Sequence, residues 1–174
     1  MKIDIYDIPE DGLTLDLTEE GKALEEVAGG KLDFRFASTV AAHLELSKTD
    51  GDIFVRGDVK TTLKLSCSRC LKDFDYGFSS TFTDFYSKKR EAEKEKELKP
   101  EDMEVNYLEG HEIDTNELLL SQISLELPMN PLHDPECKGL CPNCGADLNL
   151  GECGCPKGGK TESKFAKLKD FKIK

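Results

Sequence analysis

The sequence predicts an α+β fold: a curled antiparallel sheet or small open barrel with packing helices, followed by a cysteine-rich carboxy-terminal segment. Three observations predict it. Apolar and polar residues alternate from residue 34 to residue 86, two stretches carry helix-start signals, and five of the seven cysteines crowd into residues 137–155. With 174 residues, 37% apolar and 34% charged, the chain has room for one core and a small appendage. The expected division is 1–130 for the sheet and helices and 131–174 for the cysteine-rich segment with a basic tail helix.

The elements follow in chain order. Thr18 to Ala28 reads as a short helix, with a cap candidate at Thr18, early acids, Leu24 and Val27 spaced for one face, and a stop at Gly29-Gly30. Phe34, Phe36, Val40, Ala42, Leu44 and Leu46 then alternate with Arg35, Thr39, His43 and Glu45, the signature of a half-buried strand. Asp50-Gly51 supplies a turn signal. Beyond it Ile53, Val55, Val59, Leu63 and Leu65 alternate again, opposite Asp52, Arg56, Lys60 and Lys64. Cys67-Ser68-Arg69-Cys70 interrupts the pattern before Phe74, Tyr76, Phe78 and Phe82 restore it, so three antiparallel strands result, the last two joined by a cysteine-bearing turn. Strands this long bend or coil, and Gly57 and Gly77 are the expected bulge or bend points.

After the sheet the composition changes. Residues 87–103 alternate charge with almost no apolar content, which predicts a mobile charged linker because so little surface can be buried against the ordering entropy. Asp114-Thr115-Asn116-Glu117 then resembles a capping box, and Leu119, Leu120, Ile123 and Leu127 follow at helical spacing until Pro128. This helix is expected to cover one face of the sheet.

Charge narrows the class of function. A net charge of -11 disfavours a nonspecific nucleic-acid coat, so any phosphate contact has to be local. The charge is also polarised: residues 1–33 are acidic, whereas residues 156–174 carry seven lysines and only two acids. No apolar run approaches the roughly 18 residues of a membrane span, and the first residues lack the basic flank and apolar stretch of a signal peptide. The expectation is a cytoplasmic protein with no membrane contact. No HExxH, P-loop, GxSxG or dinucleotide fingerprint occurs. His43 falls on the polar side of its strand and His111 follows a turn glycine, so both are expected to be solvated side chains.

The cysteines carry the chemistry. An odd number at tight spacing in a reducing compartment suits metal ligation better than disulfides. Cys141-Pro142-Asn143-Cys144-Gly145 forms a CPxCG knuckle, and Cys153-Gly154-Cys155 follows after a short loop, so four thiolates within fifteen residues can complete a tetrahedral zinc (Zn2+) site. This makes residues 137–155 a zinc-knuckle segment. Cys67, Cys70, His133 and Cys137 are left over and make a second tetrahedral set that would pin the strand turn to the carboxy-terminal segment. Two rival arrangements fit the spacing: Cys67 and Cys70 joined with Cys141 and Cys144 as a two-knuckle ribbon, or Cys67 and Cys70 left as reduced thiols. Either closed four-ligand set leaves no position for a catalytic water, so a structural role is expected. A zinc-dependent hydrolase or nuclease acting on precursor RNA is the enzymatic alternative, and it would need an open metal position with a carboxylate base. Thiol exchange at Cys67 and Cys70 is disfavoured, because the attacking thiol there ordinarily precedes a helix and here strands flank it.

Taken together, Leu65 to Leu71 with its CSRC core, Glu112-Ile113-Asp114, Leu127-Pro128-Met129-Asn130-Pro131-Leu132-His133-Asp134, Cys137 to Gly145 and the closing Phe165-Ala166-Lys167-Leu168-Lys169 resemble the YceD-type family. That family is known as the large ribosomal RNA subunit accumulation protein. The resemblance implies a part in accumulation or processing of large-subunit ribosomal RNA during assembly of that subunit. Two routes fit the charge pattern. The tail lysines Lys157, Lys160, Lys164, Lys167 and Lys169, beside Phe165, Leu168 and Phe171, can contact phosphates of large-subunit RNA or a precursor ribosomal particle. Alternatively, the acidic amino-terminal region can hold a basic ribosomal protein.

Overall fold

Alternation of side chains sets the sheet. The computed structural model describes residues 1–30, 32–49, 51–88, 105–108 and 110–155. In chain order its elements are β1 (Lys2–Asp4), β2 (Leu13–Glu19), α1 (Gly21–Val27), β3 (Arg35–Phe36), β4 (Val40–Thr49), β5 (Asp52–Ser66), β6 (Asp73–Lys88), β7 (Val105–Leu108), β8 (Glu112–Asp114) and α2 (Thr115–Glu126). The main sheet runs β2-β4-β5-β6-β7, with β3 also paired to β5, and it curls into a half-barrel covered by the two helices. Apart from Ser87 and Lys88, which finish β6, the expected charged linker lies outside the described residues, as does the basic tail with its five candidate lysines.

The three long strands form as the alternation requires. Thr49 opposes Asp52, and Ser66 opposes Asp73 across the cysteine-bearing turn. Val40, Leu44, Ile53, Val55, Val59 and Leu63 are wholly buried on the concave face, where Leu24 of α1 and Leu119 and Ile123 of α2 meet them. Each such side chain contributes about 1.5–3 kcal/mol of burial. Asp114 caps α2, its Oδ1 accepting from the backbone N–H groups of Asn116 at 2.9 Å and Glu117 at 3.4 Å. A ribbon of β1 and β8 ties the first residues to that cap: Ile3 opposes Ile113, and Thr115 donates to the Met1 carbonyl through both its N–H and its Oγ1.

Four expectations are corrected. The run from Phe34 to Leu46 is not one strand: Phe36 opposes Leu63 while Ala41 opposes Lys60, so two extra residues are inserted between β3 and β4. An insertion of two keeps every side chain on its original face, which is why the alternation survives it. The amino-terminal helix begins at Gly21 and not at Thr18, because Leu13–Glu19 is drawn into the sheet as the partner of β4. The sheet is mixed and not purely antiparallel, since β7 joins β6 in parallel. Neither Gly57 nor Gly77 carries a bulge; both lie within continuous ladders. Gly57 instead makes room, as a Cβ there would stand 2.6 Å from Leu44 Cδ2 and 2.7 Å from Phe82 Cζ.

Candidate metal centre

The first cluster is assembled by two segments that meet at the end of the sheet. The β5–β6 turn is closed by two hydrogen bonds, Cys67 N–H to the Lys72 carbonyl at 2.9 Å and Leu71 N–H to the Cys67 carbonyl at 2.9 Å, with Leu71 in the left-handed region. This closure turns Cys67 and Cys70 toward one point. The chain leaving α2 then docks on the turn, as Ser68 donates to the Pro131 carbonyl from its N–H at 2.8 Å and its Oγ at 3.1 Å. Asp134 Oδ1 accepts from Glu136 N–H, and the Asp134 carbonyl accepts from Cys137 N–H, so a tight turn sets His133 and Cys137 side by side.

Arg69 locks the two segments together. Its Nη1 donates to the Cys137 carbonyl at 2.8 Å and the Pro135 carbonyl at 3.3 Å, while its own carbonyl accepts from Leu140 N–H at 3.1 Å. Gly139 lies against the Arg69 backbone, with φ +74° and space for a Cβ only 3.0 Å from the Arg69 oxygen, so no other residue fits there without strain.

The ligand atoms of Cys67, Cys70, His133 and Cys137 all lie within 4.8 Å of one another. Cys67 Sγ and Cys137 Sγ are 3.8 Å apart, and Cys70 Sγ is 3.5 Å from His133 Nδ1. A tetrahedral ion held by thiolates at about 2.3 Å and an imidazole at about 2.1 Å spaces its sulfurs by about 3.8 Å and a sulfur and nitrogen by about 3.6 Å. The donor set therefore fits such an ion. The three sulfurs are buried and packed against Phe74, Leu132 and Leu140.

The second cluster follows directly. Cys141 N–H donates to the Ala146 carbonyl and Gly145 N–H to the Cys141 carbonyl, each at 2.8 Å, with Gly145 at φ +74°. Leu140 bridges to Asp147, and Leu148 N–H donates to the Gly139 carbonyl, closing a small hairpin. Its loop returns Cys153 and Cys155 to Cys141 and Cys144, and these four sulfurs also lie within 4.8 Å of one another. Burial separates the clusters: Cys144 is exposed, and an open groove of about 570 Å³ runs beside Cys141, Cys153 and Cys155. The structure thus brings Cys67 and Cys70 to His133 and Cys137 and not to Cys141 and Cys144.

Electrostatics favour a cation in both places. Burial opposes ionisation of Cys67, yet hydrogen bonding from the His133 side chain and from backbone N–H groups at His133, Cys70 and Arg69 brings the thiol down to about 5. Backbone N–H groups of Asn143 and Cys144 bring Cys141 down to about 6. Neighbouring sulfurs resist: Cys155 is pushed up to about 12, first by its contact with Cys144 and then by burial. Cys67 and Cys141 are thus the thiols that ionise most readily, whereas neighbouring sulfurs hold Cys70, Cys153 and Cys155 up, an opposition that a positive ion between them would relieve.

Two residues matter that the sequence reading gave no part. Arg69 stood within the CSRC motif but carried no assigned role. Asn149 had no motif at all: its Nδ2 lies 3.5 Å from Cys137 Sγ and its Oδ1 accepts from Lys138 N–H at 2.8 Å, so the loop of the second cluster supports a ligand of the first. His43 is not a purely solvated side chain either, since its Nδ1 is 2.7 Å from Asp16 Oδ1.

The family described as Large ribosomal RNA subunit accumulation protein YceD matches residues 55–172, a stretch that holds all eight donors. The chain belongs to the YceD family. Among curated proteins, the chloroplastic YCED homolog 1 of Zea mays, a large ribosomal RNA subunit accumulation protein, is 25% identical over 158 residues, covering 74% of this chain and 54% of the maize protein. An uncharacterized protein of Mycobacterium tuberculosis is 29% identical over 105 residues, or 60% of this chain and 49% of that protein. One from Mycobacterium leprae is 27% identical over 128 residues. This YceD chain spans about half the length of these relatives. No solved structure matches it. Among the described residues of this YceD chain, no helix is long and apolar enough to cross a membrane.

Proposed function

We propose that the chain is a non-enzymatic cytoplasmic factor that supports accumulation and processing of large-subunit ribosomal RNA during assembly of that subunit, with structural zinc in both donor clusters. One observation carries the reading: in a chain of this family, Cys67, Cys70, His133 and Cys137 converge at spacings that suit a thiolate-rich tetrahedral ion. Zinc is favoured over harder cations by sulfur donors. Four protein ligands fill the sphere of each ion, which supports holding two segments of chain together over activating a water. The protein then works by binding, either RNA through its tail lysines or a basic ribosomal protein through acids such as Asp16 and Glu19.

The test is a depletion strain whose ribosomal particles are sedimented and whose large-subunit RNA is measured against small-subunit RNA. The expected result is a selective deficit of large-subunit RNA, restored by the intact chain and not by a Cys67→Ser, Cys137→Ser chain. Normal particles after depletion would overturn the reading.

A further inference from the structure

The convex face of the sheet carries a feature that neither cluster explains. On strands that otherwise present polar side chains outward, Ser47, Phe54, Phe85 and Val105 stand opposite one another in one row across β4, β5, β6 and β7. The Phe54 and Phe85 rings lie 4.8 Å apart, tilted by 58°. Phe54 is 41% exposed, and Tyr107, two residues along β7 from Val105, is 52% exposed. The next row places Glu45, Arg56 and Thr83 side by side. Glu45 approaches His43 Nε2 at 3.8 Å, and among the described residues Arg56 has no ion-pair partner. A hollow of about 420 Å³, whose lining includes Asp11, Thr14, Glu45, Arg56 and Thr83, adjoins the Phe54 ring.

We propose that this row binds unpaired RNA, with bases stacking on Phe54, Phe85 and Tyr107 and a phosphate or base edge taken by Arg56. The proposal rests on the ribosomal RNA reading above and supplies its contact surface. The chemistry favours RNA over a protein partner. The exposed apolar surface is confined to Phe54, Phe85, Val105 and Tyr107 and is bordered by Ser47, Thr83 and Arg56, which is too narrow for the desolvated centre of a protein interface. A base needs only a ring-sized face, and sheets presenting exposed aromatics stack unpaired bases in this way.

The experiment titrates the purified full chain into a short labelled oligoadenylate at several salt concentrations. Stacking with one phosphate contact predicts a shallow salt slope, near the value of about 0.7 expected for a single phosphate. Phe54→Ala and Phe85→Ala should each weaken binding about tenfold, while Phe54→Tyr binds as the parent does. Photocrosslinking of a thiouridine-bearing oligonucleotide to the unaltered chain is the second measurement, and its crosslinks should map to β5 and β6 whether or not the alanine variants fold.

The proposal is overturned if the parent does not bind, if both alanine variants fold and bind unchanged, or if crosslinks map only to residues 156–174. Protection of the row by a basic ribosomal protein, with no oligonucleotide binding, overturns it equally. A folded Phe54→Ala, Phe85→Ala chain that fully restores ribosomal RNA in the depletion strain would reject this surface and leave the assembly role standing. A depletion strain with normal RNA would reject the role itself.

Discussion

Arg69 Nη1 donates to the Cys137 carbonyl at 2.8 Å, so a side chain lying between two thiols of one pair fixes the backbone that presents a third. The contact is partly buried and reaches across 68 positions of sequence. Supporting contacts of this kind change metal affinity by about 10- to 100-fold. Arg69→Ala should weaken zinc binding at the first cluster within that range, read by competition with a chromogenic chelator. Arg69→Lys should restore little, because the lysine nitrogen sits one bond nearer the backbone than Nη1 and falls short of the Pro135 and Cys137 carbonyls.

The two clusters are expected to load and fail separately. Cys67→Ser should lower the zinc content from about two ions per chain to about one, and so should Cys144→Ser, measured by elemental analysis. Thermal melting should then divide them. Losing the buried first set frees the β5–β6 turn from the Pro131–Cys137 segment and lowers the melting temperature markedly. Losing the second set, which lies nearer the surface and away from the sheet, leaves the sheet transition nearly unchanged. Equal shifts would contradict the division of roles.

His43 offers a pH test. Its hydrogen bond to Asp16 raises its pKa above the ordinary 6.5, and that effect outweighs partial burial. A raised folded-state pKa contributes stability that is fully present below the unfolded value and is lost as pH rises through the folded one. Asp16→Asn should therefore destabilise the protein below about pH 6 and have no effect in alkaline buffer, by urea denaturation. The His43 resonance should titrate later in the parent than in the variant.

Gly57 is tested by adding one methyl group. Gly57→Ala would drive a Cβ into Leu44 and Phe82, two buried neighbours on strands either side, and should cost about 1–3 kcal/mol in urea unfolding. Gly77→Ala, at a position with open space around it, should be nearly neutral and serves as the control.

Much of this was legible in the sequence, for identifiable reasons. The strands from Val40 to Tyr86 announced themselves because a half-buried sheet demands strict alternation, and α2 because Asp114 is a strong cap. The donors could be grouped because thiol spacing is a local property of knuckles. β2 went unread although Leu13, Leu15 and Leu17 alternate with Thr14, Asp16 and Thr18; the acids around them suggested a helix start, and only pairing with β4 decides otherwise. The parallel β7 left no trace at all, since four residues are too few to establish a period. Arg69 and Asn149 act through carbonyls and a sulfur brought near by folding, and no spacing rule encodes that.

The first donor set has a consequence for when the molecule can form. Cys67 and Cys137 are separated by 70 positions, and an ion between them would close that span as a crosslink does, removing about 4 kcal/mol of freedom from the unfolded chain. Half of the ligands are synthesised long before the other half. With an ion bound there, the turn would stay unlatched until His133 and Cys137 had left the ribosome, and chelation would be one of the last acts of its biogenesis.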